Sequence, residues 1–175
     1  EVELASLLGR YTQARAGLEA LGEAEAGWPP ALRFDWLRRA MHVEMEAGST
    51  EAAAALFDDH LAALVDDDLD PTRAREFDYL LGLLRSYQED HDGSARAFAR
   101  YHQACLETLG PDHRETILAH AALGHAPDAT GRYKEAHRIY READEAGQRA
   151  GLHVVDRMTL RANVALSAAH LGDLE

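Results

Sequence analysis

Ten histidines, one cysteine and 31 aspartates and glutamates are the side chains of this 175-residue chain most able to do chemistry. Histidine with carboxylate would serve a metal ion or a proton transfer, and cysteine beside a base would serve as a nucleophile. Their spacing offers little of this. No His-Glu-x-x-His stretch occurs, and one cysteine excludes a Cys-x-x-Cys pair. His120 and His125 lie five residues apart, which suits one helical face poorly, so no metal site is expected. Asp112-His113 could orient an imidazole, but adjacent residues diverge on a helix, and Asp112 after Pro111 reads as a helix cap. Cys105 falls one residue past an apolar stripe with no basic neighbour to activate it, and reads as a partly buried thiol. Glycines stand singly at turns, without a phosphate-cradling Gly-x-Gly-x-x-Gly or Walker sequence. The chain reads as a non-enzyme without cofactors.

The charge balance, 18 Lys and Arg against 31 Asp and Glu, leaves −13, which repels a phosphate backbone and disfavours nucleic acid. At 46% hydrophobic and 28% charged residues the composition is that of a globular protein. No run approaches the roughly 18 apolar residues of a membrane span, and no secretion signal is visible. A lone cysteine fits a reducing compartment, so the expected location is the cytoplasm. Starting at Glu1 and ending within a repeat, the chain reads as an excerpt of a larger protein.

The elements that position these residues are repeated. Gly9-Arg10-Tyr11-Thr12-Gln13-Ala14 returns as Gly131-Arg132-Tyr133-Lys134-Glu135-Ala136, 122 residues on, or about three periods of forty. Gly48-Ser49-Thr50-Glu51-Ala52-Ala53 and Asp92-Gly93-Ser94-Ala95-Arg96-Ala97 continue the series, and Gly172 opens a last copy. Four and seven residues past each alanine come Leu18 and Leu21, Phe57 and His60, Tyr101 and Ala104, Tyr140 and Ala143, one stripe of a helix. Each unit therefore reads as helix, glycine turn, helix. The predicted map is a helix over 12–25, pairs over 31–46 with 50–64, 72–90 with 94–109 and 113–126 with 133–149, and a helix over 153–171. Trp28-Pro29-Pro30, Asp70-Pro71-Thr72 and Gly110-Pro111-Asp112 punctuate it. The acidic run Asp66-Asp67-Asp68-Leu69-Asp70 reads as a solvated loop, and Pro127 should end or kink the helix at 113–126. The expected architecture is all-α, a single α-α superhelix of about eight helices, with full pairs over 31–64, 72–109 and 113–149.

The helix-turn-helix unit, its Gly-x-Tyr-x-x-Ala turn and the aromatic that follows resemble the tetratricopeptide repeat family. Leu109-Gly110-Pro111-Asp112-His113-Arg114-Glu115-Thr116 is similar to the connector of its kinesin-light-chain-like subfamily, with Arg114 in place of the usual proline. The resemblance implies an interaction module whose first helices line a groove for a peptide or helix of a protein partner. Carried onto this register, the inward residues are Asp35, Arg38, His42 and Met45, then Leu118, Ala121, His125 and Asp128, and in the last helix Thr159, Ala162, Asn163, Leu166 and His170. Between them the register is ambiguous: Tyr87 and Gln88 compete for one anchoring position, so either Arg85 or Ser86 faces the groove. Asn163 matches the asparagine that contacts a ligand's backbone, whereas Ala121 and Ala122 in the preceding unit omit that contact. Arg38, Arg39 and Arg85 offer a patch for a carboxylate, or else are solvated and locally paired. An alternative is an autoregulatory array in a larger signalling or transcriptional protein, of the kind an Ala-, Arg- and Gly-rich, actinobacterial-type composition suggests, with a neighbouring domain as partner. Apolar stripes around Leu18 and Leu166 should be exposed and favour self-association.

Overall fold

The computed structural model describes residues 11–22, 28–58 and 70–172. Among these residues there are nine helices and no strand, so the chain is all-α. The helices are α1 (Tyr11–Gly22), α2 (Pro30–Glu46), α3 (Thr50–Leu56), α4 (Pro71–Tyr87), α5 (His91–Leu109), α6 (Arg114–Ala122), α7 (His125–Ala129), α8 (Tyr133–Arg149) and α9 (Val154–Leu171). They form two compact units, residues 1–80 and 81–175. Gly9, His60 and the run 66–69 lie outside the described residues, as do the far ends of the helices predicted over 12–25 and 50–64. The repeat's alanines explain themselves: Ala14, Ala53, Ala97 and Ala136 are each 0% exposed, which leaves no room for a longer side chain.

In the first unit α2 starts at Pro30, whose missing N–H falls where a helix has no partner for one. Helices α1 and α2 run antiparallel: the Trp36 indole donates to the Leu18 carbonyl at 3.1 Å, and Arg15 Nε donates to Glu44 at 2.7 Å. Ala14, Leu18, Ala40 and Val43 close the core between them. The stripe at Leu18, expected to be open, is therefore covered by α2. Met45, expected in the groove, is 1% exposed and belongs to the interior of the same unit. A glycine turn with Gly48 at φ +77° leads into α3, and the ring of Phe57 just beyond lies 4.9 Å from that of Phe77 on α4.

The second unit repeats the design with local changes. Gly131 and Gly172 both end a first helix at φ +76°, the left-handed region. Between α4 and α5 Glu89, not glycine, takes that conformation, at φ 59°. Gly93 is then a residue of the first turn of α5, where its N–H donates to the Asp90 side chain at 2.8 Å and an added Cβ would collide with that carboxylate. So α5 starts three residues earlier than the glycine predicts. The cap of α6 is His113 instead of Asp112: its Nδ1 accepts from the Glu115 N–H at 3.2 Å. His153 caps α9 in the same way, accepting from Val155 at 3.4 Å. Cys105 is fully buried beside Tyr101 and Ala119, not partly so.

Pro127 follows a break in its helix. Having no N–H for the carbonyl of Leu123, it leaves α6 to close on shorter bonds, Leu123 to His120 and Gly124 to Ala121. The chain resumes as α7 from His125. Gly124 sits in the break against Tyr140 of α8, with no space for a side chain. Around them Ile117, Ala121, Ala136, Tyr140, Ala143 and Leu160 form the core that joins α6, α8 and α9.

Candidate functional site: the faces of the first helices

Successive first helices are tied to one another by charged pairs. In the first unit Arg73 Nη2 donates to Asp35 at 2.8 Å, and Arg38 Nε lies 3.7 Å from Glu76, so α2 and α4 meet at a constant offset of 38 residues. In the second unit Arg114 grips Asp156 with two bonds of 2.7 and 2.6 Å, and His170 Nδ1 lies 3.1 Å from Asp128; both offsets are 42. A constant offset means parallel helices in register. Asp156 is in the first turn of α9 and His170 in its last, so α9 is fastened to the α6–α7 segment at both ends. The hydrogen bonds from Arg114 hold the Asp156 carboxyl below the usual carboxylate range, and that carboxylate raises Arg114 in return. The Tyr133 ring stacks 4.6 Å from His170.

These pairs absorb several residues expected to meet a partner. Arg38 faces Glu76, and Arg85 donates to Gln88 at 3.0 Å and lies 3.8 Å from Asp90 at the end of α4. His42 is exposed and lies 3.1 Å from Glu46 on its own helix. The ambiguity in α4 resolves against both anchors: Tyr87 and Gln88 are exposed, Leu80 and Leu84 are buried in their stead, and Arg85 and Ser86 are both half-buried. His125 is half-buried. Its ring meets Phe98 edge-on at 5.4 Å and Tyr140 at 6.4 Å, and burial pushes the imidazole below its ordinary range.

What the fold leaves available is on α9. Thr159, Asn163, Leu166 and His170 recur at spacings of four, three and four, one side of the helix. Asn163 is half-buried, and its side-chain amide makes no hydrogen bond among the described residues, although its backbone carbonyl accepts from Ser167 Oγ at 2.9 Å. Leu166 is exposed, and the Asp128–His170 pair closes one end of the row. The structure thus pairs His170 with Asp128 and leaves Asn163 and Leu166 on the side of α9 that carries His170.

Two clusters have no counterpart in the sequence reading. His102 of α5 and His120 of α6 meet edge to face with centroids 5.2 Å apart, and His120 Nε2 lies 3.4 Å from Glu142 of α8. Burial and the neighbouring His120 both lower the His102 pKa. His137 Nδ1 lies 3.0 Å from Ser167 Oγ, between α8 and α9. Packing between helices brings these residues together, so no local spacing signals them. Among the described residues no three His, Cys, Asp or Glu side chains converge to hold a metal ion, and no helix is long and apolar enough to cross a membrane. The chain matches no known family profile and no curated protein. Fold and site define an all-α chain of helix pairs whose parallel first helices are locked by ion pairs.

Proposed function

We propose that this chain is a tetratricopeptide-type interaction module of the cytoplasm, which receives an extended segment of a protein partner along the α6–α7 and α9 first helices. The observation that carries the reading is Asn163: a half-buried amide that makes no hydrogen bond among the described residues, on the row of α9 that the Asp128–His170 pair closes at one end. An amide both donates and accepts, as a peptide backbone requires, and Leu166 beside it supplies apolar contact. Cys105, a buried free thiol, accords with a reducing setting.

Selection of peptides from a random display library on the purified chain tests this. Peptides with a shared motif should emerge, and Asn163→Ala should weaken them while leaving helical circular dichroism unchanged. A selection that yields no common motif, or peptides indifferent to Asn163→Ala and to His170→Ala, would remove the groove from consideration.

A further inference from the structure

We propose that the place where α5, α6 and α8 meet is a site for one divalent transition-metal ion of the zinc type, held by the imidazoles of His102 and His120 with the carboxylate of Glu142 as third ligand. The site shares no residue with the row of Asn163, and the inference does not depend on the proposed groove.

Each of the three helices brings one donor. His102 and His120 stand edge to face with ring centroids 5.2 Å apart and planes inclined by 80°. An ion bound about 2.0–2.1 Å from an imidazole nitrogen lies about 3.2 Å from that ring's centroid, so two rings on one tetrahedral ion have centroids about 5.2 Å apart. The carboxylate fits the same polyhedron. His120 Nε2 lies 3.4 Å from Glu142 Oε2. Two ligand atoms of a tetrahedral zinc ion are about 3.3 Å apart, whereas a charge-assisted hydrogen bond closes to about 2.7–2.9 Å. Arg138 donates to the other carboxylate oxygen, Oε1, at 2.7 Å, which leaves Oε2 as the ligand atom and supplies the outer partner that orients a ligating carboxylate.

As the side chains stand, no three donors meet at one point. The two half-buried imidazoles form the fixed part of the site, and the Glu142 side chain, 44% exposed, turns about its own bonds to close it. Edge-to-face packing by itself would account for the spacing of the rings, but not for a carboxylate at ligand distance, nor for Thr116. That residue is 2% exposed, and its hydroxyl has no hydrogen-bond partner among the described residues. Thr116 precedes His120 by four residues on the same side of α6, and helical side chains lean toward the N-terminus, so the His120 ring leans toward it. A water on the fourth position of the ion is the partner that this hydroxyl lacks. Two imidazoles and one carboxylate select zinc over magnesium and calcium, which favour oxygen ligands.

Titration of Co2+ into the untagged, metal-free 175-residue chain, followed by visible absorption, tests this. One equivalent should produce the intense bands of a tetrahedral cobalt ion, and Zn2+ should displace it. His102→Ala and His120→Ala should each abolish the bands, and Glu142→Gln, at an exposed position, should weaken binding by about tenfold or more with unchanged circular dichroism. His42→Ala, which removes the exposed imidazole beside Glu46, should leave affinity and stoichiometry as they are. Should either histidine variant lose its helical signal, Glu142→Gln decides alone. The proposal is overturned if no tetrahedral spectrum appears, if the bands survive His120→Ala in a folded chain, or if Glu142→Gln binds as tightly as the parent. It is also overturned if His42→Ala lowers the stoichiometry, because exposed pairs along single helices would then hold the ion.

Discussion

Replacing Gly124 with alanine should destabilise the second unit, although its backbone conformation admits the change. Gly124 has φ −74°, which alanine adopts freely, and alanine is the better helix former by up to about 1 kcal/mol. Against this stands Tyr140. The new Cβ would meet three of its ring atoms at 2.5, 2.7 and 2.9 Å, where ordinary contact begins near 3.4 Å. The ring cannot retreat by the missing 0.9 Å (3.4 − 2.5), because it is 4% exposed and enclosed by Ile117, Ala121, Ala136, Ala143 and Leu160. Overpacking of this kind costs about 1–3 kcal/mol, or roughly 2–12 °C in Tm for a chain of this length. Thermal unfolding followed by circular dichroism at 222 nm measures it. A second substitution, Tyr140→Leu, should cost less in the Gly124→Ala background than in the native one, giving a favourable coupling in the double-mutant cycle. A Gly124→Ala protein as stable as the parent, or a cycle without coupling, would refute this account of the break between α6 and α7.

Three further outcomes are expected. Arg114→Ala should lower stability by about 1–2 kcal/mol, less than a buried pair would lose because Arg114 is itself exposed, as read from urea denaturation. Because Asp156 is held below its ordinary pKa, the pair's contribution is complete above that ordinary value and is lost as the pH falls through the lowered one; Asp156→Asn should remove that part of the acid transition. His102 and His125, both lowered by burial, act in a higher window: stability should fall as the pH drops below the ordinary imidazole value near 6.5, since the unfolded chain then binds the protons, and His125→Leu should flatten the decline in a Tm series from pH 8 to 5.

The helices and their order are legible in the sequence because their signals are local. The alanine at each turn, the aromatic four residues on and the prolines between units place nearly every described helix within a few residues. Where prediction slips, a tertiary contact overrides the local pattern. Gly93 looks like a turn residue, but Asp90 draws it into the first turn of α5 while Glu89 makes the turn. Asp112 looks like a cap, but the imidazole of His113 reaches the free N–H. The site is less legible. Helical periodicity places Asn163 and His170 on one side of α9, yet it cannot tell that Met45 is enclosed or that His125 packs against aromatic rings, since both depend on what the neighbouring helices bring: Phe98 and Tyr140 in the case of His125.

The ion pairs change what charge on the first helices means. A residue such as Arg38, read along the sequence, is a cation awaiting a ligand's carboxylate. In the fold it faces Glu76 at the same offset at which Asp35 faces Arg73, so its charge helps set the register between α2 and α4. Arg114 with Asp156 and Asp128 with His170 do the same for the α6–α7 segment and α9, at an offset larger by four residues, about one helical turn. Partner selection by these pairs would break the alignment that positions the row, whereas the amide of Asn163 and the side chain of Leu166 can engage a segment without that loss. Specificity along α9 should therefore depend weakly on salt, as hydrogen bonding and apolar contact do, despite a net charge of −13. Peptides selected on the chain at 50 mM and at 500 mM salt should carry the same motif, and a motif present only at low salt would return the ion-paired residues to the role of ligand contacts.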